Sequence, residues 1–133
     1  MQPENRQYLR EFLTHAPEME KDLCNDAREV LGVEPAIFST LKERQDYFVL
    51  SVLTDYLAGR PESLDPVTAE LVAIAAAAAS DAPHCMKVHI GAALKAGATR
   101  EQVRDTILIA GAIGRTKVLA SGLRELESVC GKR

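Results

Sequence analysis

The sequence predicts an all-α fold, a compact bundle of about seven or eight helices around a central helical hairpin. Three observations point there. Alternating polar and apolar runs, the mark of half-buried strands, are nearly absent from the 133 residues. Helix start and stop signals recur at short intervals. Small residues crowd the second half, at Ala75 to Ala79, Gly91, Ala92, Ala93, Gly111, Ala112, Gly114 and Gly122, where they permit close approach of helix backbones.

Glu4 to Leu13 reads as a short first helix. Pro17 and Glu18 open a second, charged helix that stops near Gly32, with Met19, Leu23, Ala27, Val30 and Leu31 at helical spacing. Pro35 suits the first turn of a third, short helix ending about Lys42. A fourth spans roughly Asp46 to Leu57 and is broken by Gly59-Arg-Pro61. Asp65-Pro66, a cap residue followed by proline at the first helical position, starts a fifth helix carrying Glu70. Asp81-Ala-Pro83 ends it and starts a sixth, which runs from about Pro83 to Ala96 and stops at Gly97. Thr99-Arg-Glu-Gln102 has the spacing of a capping box and starts a seventh. Gly114 is expected to divide this helix from a last one reaching about Val129. The nearly continuous apolar stretch Thr106 to Ala112 suits a helix buried on all sides, and one domain of this size has limited interior for that. A symmetric homo-oligomer is therefore expected, a trimer or hexamer ahead of a dimer, with the helical hairpin near a subunit contact.

The length fits a single domain, residues 1–133. Hydrophobic residues at 47% and charged residues at 26% fit a soluble globular chain. The net charge of −3 and the lack of a basic cluster argue against nucleic acid or an anionic membrane surface as main partner. The longest unbroken apolar run, Leu71 to Ala79, is too short to span a bilayer, and the N-terminus has no apolar signal core. The three cysteines, Cys24, Cys85 and Cys130, form no disulfide framework and favour a reducing compartment. A cytoplasmic protein is expected. No nucleotide, flavin or haem motif is visible, so no organic cofactor is expected.

The chemistry-bearing residues cluster in the hairpin. Cys85 and His89, at i and i+4, share one helix face. Cys85 also falls in the first turn of its helix, where open amides and the positive end of the helix dipole favour an anion. A neighbouring imidazole can accept the thiol proton. The bland alternative is a buried thiol beside a satisfied histidine. An antiparallel hairpin through Ser80 to Pro83 would bring Glu70 toward His89. Cys85, His84, His89 and Glu70 are all competent metal ligands, but they lack the usual zinc spacings, and no metal is expected.

The sequence Glu70-Leu-Val-Ala-Ile-Ala, then Cys85-Met-Lys-Val-His89, then Ala92-Ala-Leu-Lys-Ala-Gly97-Ala-Thr resembles the signature region of the carboxymuconolactone decarboxylase and alkyl hydroperoxidase D-like family. The resemblance covers about residues 64–126. It implies the alkyl hydroperoxidase D-like helical fold. In members of the hydroperoxidase type, a glutamate and a histidine relay protons to a Cys-x-x-Cys pair, whose second cysteine attacks a peroxide and whose first resolves the product. Position by position, Cys85 matches the attacking cysteine, His89 the histidine and Glu70 the glutamate. Ala82 stands at the resolving position, so a local disulfide is impossible, and Cys130, Cys24 or an external thiol would have to resolve a sulfenic acid. The resemblance thus implies a thiol-dependent peroxidase acting on a small hydroperoxide.

A second branch of the family decarboxylates a lactone tricarboxylate, and Pro83-His84 followed by His89 is similar to its motif, with Cys85 in place of a carboxylate. That reading needs a proton donor, His84 or His89, and cations to hold carboxylates, with Lys87, Arg100, Arg115 and Lys117 as candidates. A third reading is a non-catalytic oligomeric binding protein. His15, in a polar segment, reads as surface.

Overall fold

The computed structural model describes residues 1–131, and among them there is no strand. The all-α expectation holds. The chain forms α1 (Pro3–Leu13), α2 (Ala16–Leu31), the four-residue α3 (Phe38–Leu41), a 3-10 turn at Lys42–Arg44, α4 (Gln45–Gly59), α5 (Pro66–Ala79), α6 (Pro83–Lys95) and α7 (Arg100–Cys130). The helix count differs slightly from expectation because α7 is one continuous helix of 31 residues, unbroken at Gly114. Glycine ends a helix when it adopts the left-handed conformation, as Gly32 (φ 76°) and Gly97 (φ 103°) do. Gly114 keeps helical geometry, which costs only about 1 kcal/mol relative to alanine. The third helix starts later than expected. Pro35 stays outside it, and its carbonyl accepts from Phe38 N–H at 2.9 Å.

The described residues fall into two units, Met1–Asp65 and the segment from Pro66 onward. In the first, α2 and α4 enclose Leu23, Cys24, Phe48, Val49 and Val52, with Phe38 meeting Phe48 edge to face at 5.0 Å. Phe48 and Val49 are fully buried. Glu34, in the loop after α2, accepts from Arg28 on that helix and from Lys42 on the 3-10 turn, the latter at 2.5 Å. Gln45 adds a 2.7 Å bond from the start of α4 to Glu20 on α2.

In the second unit, α5 packs on both α6 and α7 around Ile74, Ala93, Ala98 and Val103, with Leu71, Met86, Ile90 and Ile107 at the margins. Alanines at 77, 92, 93 and 110 are buried here, so part of the small-residue surplus is core. The stretch Thr106 to Ala112 is not buried on all sides within one chain. Ala110 is buried, but Leu108 is 62% and Ile109 65% exposed. Beyond Ala110 no described residue of α7 is buried. Among the described residues, α7 is also long and apolar enough by composition to cross a membrane, although it contains no long unbroken apolar run. Arg115 and Lys117 lie at its middle, where a bilayer would make charge costly.

The Glu34 bridge sets an acid limit on the first unit. The hydrogen bond from Lys42 holds the Glu34 carboxyl below its ordinary value of 4.5, with Arg28 acting in the same direction. A carboxylate with a lowered folded value stabilises the fold above its unfolded value and loses that contribution as pH falls through the folded one. Thermal unfolding followed against pH should therefore show stability declining from about pH 4.5 downward. Glu34→Gln should lower the melting temperature at neutral pH and flatten this decline, leaving a residue from Asp46, which Arg44 holds low in the same way. An equally steep decline in Glu34→Gln would contradict the assignment.

Candidate functional site

The hairpin turn that sets the site is built from backbone bonds. Asp81 adopts φ 51°, a left-handed conformation that asparagine and aspartate tolerate better than most residues. Ala82 N–H then reaches Ala77 O at 2.9 Å and Asp81 N–H reaches Ala78 O at 3.3 Å, closing the end of α5. Asp81 thus ends α5, while Ala82 is the cap position of α6 and Pro83 occupies its first turn. Gly97 closes the far end of α6 in the same pattern, through Ala98 N–H to Ala93 O at 2.9 Å. Thr99 and Gln102 form the reciprocal capping box at the start of α7, at 3.1 and 2.8 Å.

With both ends fixed, Glu70 on α5 and His89 on α6 meet. Glu70 Oε2 and His89 Nδ1 are 2.8 Å apart, and the two side chains are 13% and 31% exposed. An ionised carboxylate only accepts hydrogen bonds, so Nδ1 is the donor and Nε2 of a neutral ring is left with the basic lone pair. Cys85 lies one turn earlier on α6 and is exposed. It makes no hydrogen bond to His89 in this structure, so the histidine is tied to the glutamate rather than to the thiol. No side chain caps the start of α6, and its first ladder bond is Met86 N–H to Ala82 O at 2.9 Å. The amides of His84 and Cys85 are therefore open beside the thiol, where the helix dipole favours negative charge.

The other candidates scatter. His84 and Lys87 are exposed on α6, and Arg100, Arg115 and Lys117 are exposed on α7. Cys24 is buried in the first unit at 4% exposure, and Cys130 is the last residue of α7. His15 is exposed just before α2. Among the described residues, no group of three His, Cys, Asp or Glu side chains is placed to hold a metal ion. Sequence reasoning missed an open groove of about 680 Å³ between α6 and the start of α7, lined by Ile90, Leu94, Val103, Ile107, Arg100 and Arg104 among others. Its signal was the i, i+4 pair Arg100 and Arg104. None of Glu70, Cys85 and His89 lines it.

An all-helical chain with a carboxylate–imidazole pair spanning a helical hairpin, and a cysteine one turn before the imidazole, defines the class. The sequence profile of the carboxymuconolactone decarboxylase family matches residues 49–128. The match takes in most of α4 and nearly all of the second unit, more than half of the chain, and the protein belongs to that family. No curated protein and no solved structure showed a significant match to the chain.

The Glu70–His89 bond should be measurable in stability. A cycle of Glu70→Gln, His89→Ala and the double variant, followed by denaturant unfolding, should give a coupling of about 1 kcal/mol between the two positions. Additive effects would show that the pair does not hold in solution.

Proposed function

We propose that the protein is a thiol-dependent oxidoreductase of the hydroperoxidase kind, in which Cys85 is the nucleophile and the Glu70–His89 pair carries its proton. The observation that supports this reading is the 2.8 Å contact between Glu70 and His89 one helical turn from an exposed cysteine. Glu70 orients the ring and stabilises it when it becomes imidazolium. His89 takes the thiol proton. The thiolate sulfur attacks one peroxide oxygen, an S–O bond forms, the O–O bond breaks, and the departing alkoxide takes the proton back. Cys85 is oxidised to a sulfenic acid and the hydroperoxide is reduced to an alcohol. A second thiol then attacks the sulfenic sulfur, giving a disulfide and water, and thiol exchange with a further reducing thiol restores Cys85.

Ala82 supplies no local resolving thiol, and the burial of Cys24 makes it a poor one. Cys130 or an external thiol is left. A reducing compartment such as the cytoplasm suits an enzyme that draws on external thiols. A second reading, a decarboxylase acting without a cofactor on a small carboxylic acid, is favoured by one observation: Arg100 lines the groove beside Ile90 as a cation for a substrate carboxylate, together with Glu101 and with Arg104, which pairs with Asp105 at 2.9 Å.

Exposing the folded protein to an alkyl hydroperoxide should add oxygen selectively to the Cys85 peptide, as read by mass spectrometry. Cys85→Ser should abolish the addition, and His89→Ala should slow it by about 100-fold or more. An unreactive Cys85 would sink the redox reading, and turnover of small carboxylic acids that fails in Arg100→Ala would favour the decarboxylase.

A further inference from the structure

A peroxidase cycle makes a demand that the chain leaves open: a sulfenic acid on Cys85 needs a second thiol. Ala82 has none, Cys24 is buried, and Cys130 stands about 30 Å along α7 from Ala110, the last buried position of that helix. The side chains around Cys85 also fit a cycle that water alone completes.

Nucleophilic acyl transfer needs a nucleophile, a base, a group that holds the base, and donors for an oxyanion. Cys85 is an exposed nucleophile. Side chains on a helix lean toward its N-terminus, so His89 leans toward the turn of α6 that carries Cys85, four residues earlier. Glu70 accepts from Nδ1 of His89 at 2.8 Å, which leaves Nε2 to take and return a proton. The oxyanion donors come from the backbone. Ala82 N–H is bonded to Ala77 O, Pro83 has no N–H, and the first ladder bond of α6 belongs to Met86. The N–H groups of His84 and Cys85 are left open, and one of them is on the nucleophile itself. A helix start alone selects no acyl group. Beside a thiol whose base is already held by a carboxylate, it supplies the charge stabilisation that a tetrahedral oxyanion needs.

We propose that Cys85, His89 and Glu70 also form an acyl-transfer site that hydrolyses small activated esters and thioesters. The inference rests on the same relay as the redox reading but uses no oxidant. Cys85 gives its proton to Nε2 of His89, and its sulfur attacks the acyl carbon. A C–S bond forms, and the carbonyl oxygen takes the negative charge beside the His84 and Cys85 amides. The carbonyl re-forms, the bond to the leaving oxygen or sulfur breaks, and the leaving group takes the proton from Nε2. Water then gives a proton to Nε2 and attacks the acyl carbon. The C–S bond breaks, Cys85 recovers that proton, and a carboxylic acid departs. Nothing is oxidised or reduced, and no resolving thiol enters. Because Cys85 is exposed, shape selects little and the leaving group decides. A thiol or a phenol departs readily and an amine does not, so peptides are not substrates.

The test uses the full chain with excess p-nitrophenyl acetate. The expected trace is a stoichiometric burst of nitrophenolate followed by steady release, with mass spectrometry placing the acetyl group on the Cys85 peptide during turnover. Cys130, exposed on α7, is the internal comparison and should acetylate more slowly. Cys85→Ala should abolish burst and turnover. His89→Ala should still acetylate but lose steady release by about 100-fold, so that acetyl-Cys85 accumulates. Glu70 is a positioning residue. Glu70→Gln should slow both steps and so lower kcat with KM kept, and Glu70→Asp should restore part of the loss. An alkyl hydroperoxide given to the same preparations separates the two readings. Oxidation of Cys85 without steady acyl turnover would overturn the hydrolytic proposal and leave the redox reading standing, and steady turnover without oxidation would do the reverse. A thiol that is acetylated once and stays acetylated, or turnover that survives in Cys85→Ala, would also overturn the proposal.

Discussion

The hydrogen bond between Glu70 and His89 is the constraint on which the site depends. It joins residues nineteen positions apart, and it exists because the turn at Asp81 folds α6 back on α5. Glu70 is a carboxylate mostly withdrawn from water, which is unfavourable unless a donor meets it. His89 meets it, and in doing so its ring is held with Nε2 as the basic nitrogen. The alanines of the α5–α6 contact matter for the same reason, since bulk there would push the two helices apart. Turn, packing and ring orientation are one arrangement.

The same unit leaves much of α7 without neighbours. Its first part contributes Val103, Ile107 and Ala110 to the core, and beyond Ala110 no described residue of α7 is buried. The absence of a motif resolving cysteine and the presence of an unpartnered helix ending in Cys130 are separate facts.

Local chemistry was legible in the residue order. The capping box at Thr99 and Gln102, the stop at Gly97, the stop at Gly32 and the proline starts of α5 and α6 depend on neighbours within a few residues, and each stands where the pattern places it. The continuation through Gly114 was not legible, because a glycine signals a stop only if the chain goes on to adopt the left-handed conformation there. Asp81-Ala-Pro83 was legible as the end of α5 and the start of α6, but the left-handed conformation of Asp81 was not. The exposure of Leu108 and Ile109 and the groove at Arg100 and Arg104 depend on which helix faces find partners, and composition does not record that. Of the candidate residues, Glu70 and His89 meet across the hairpin with Cys85 one turn earlier, whereas Lys87 on α6 and Arg115 and Lys117 on α7 lie on exposed helix surface.

The most direct test is the tautomer of His89. Nitrogen-15 NMR of the neutral ring reports which nitrogen carries the hydrogen. A fixed Nδ1–H form, lost in Glu70→Gln, is the predicted result, and it would establish that the glutamate sets the ring for proton transfer through Nε2. An Nε2–H form, or a ring averaging between the two and indifferent to Glu70, would contradict the account.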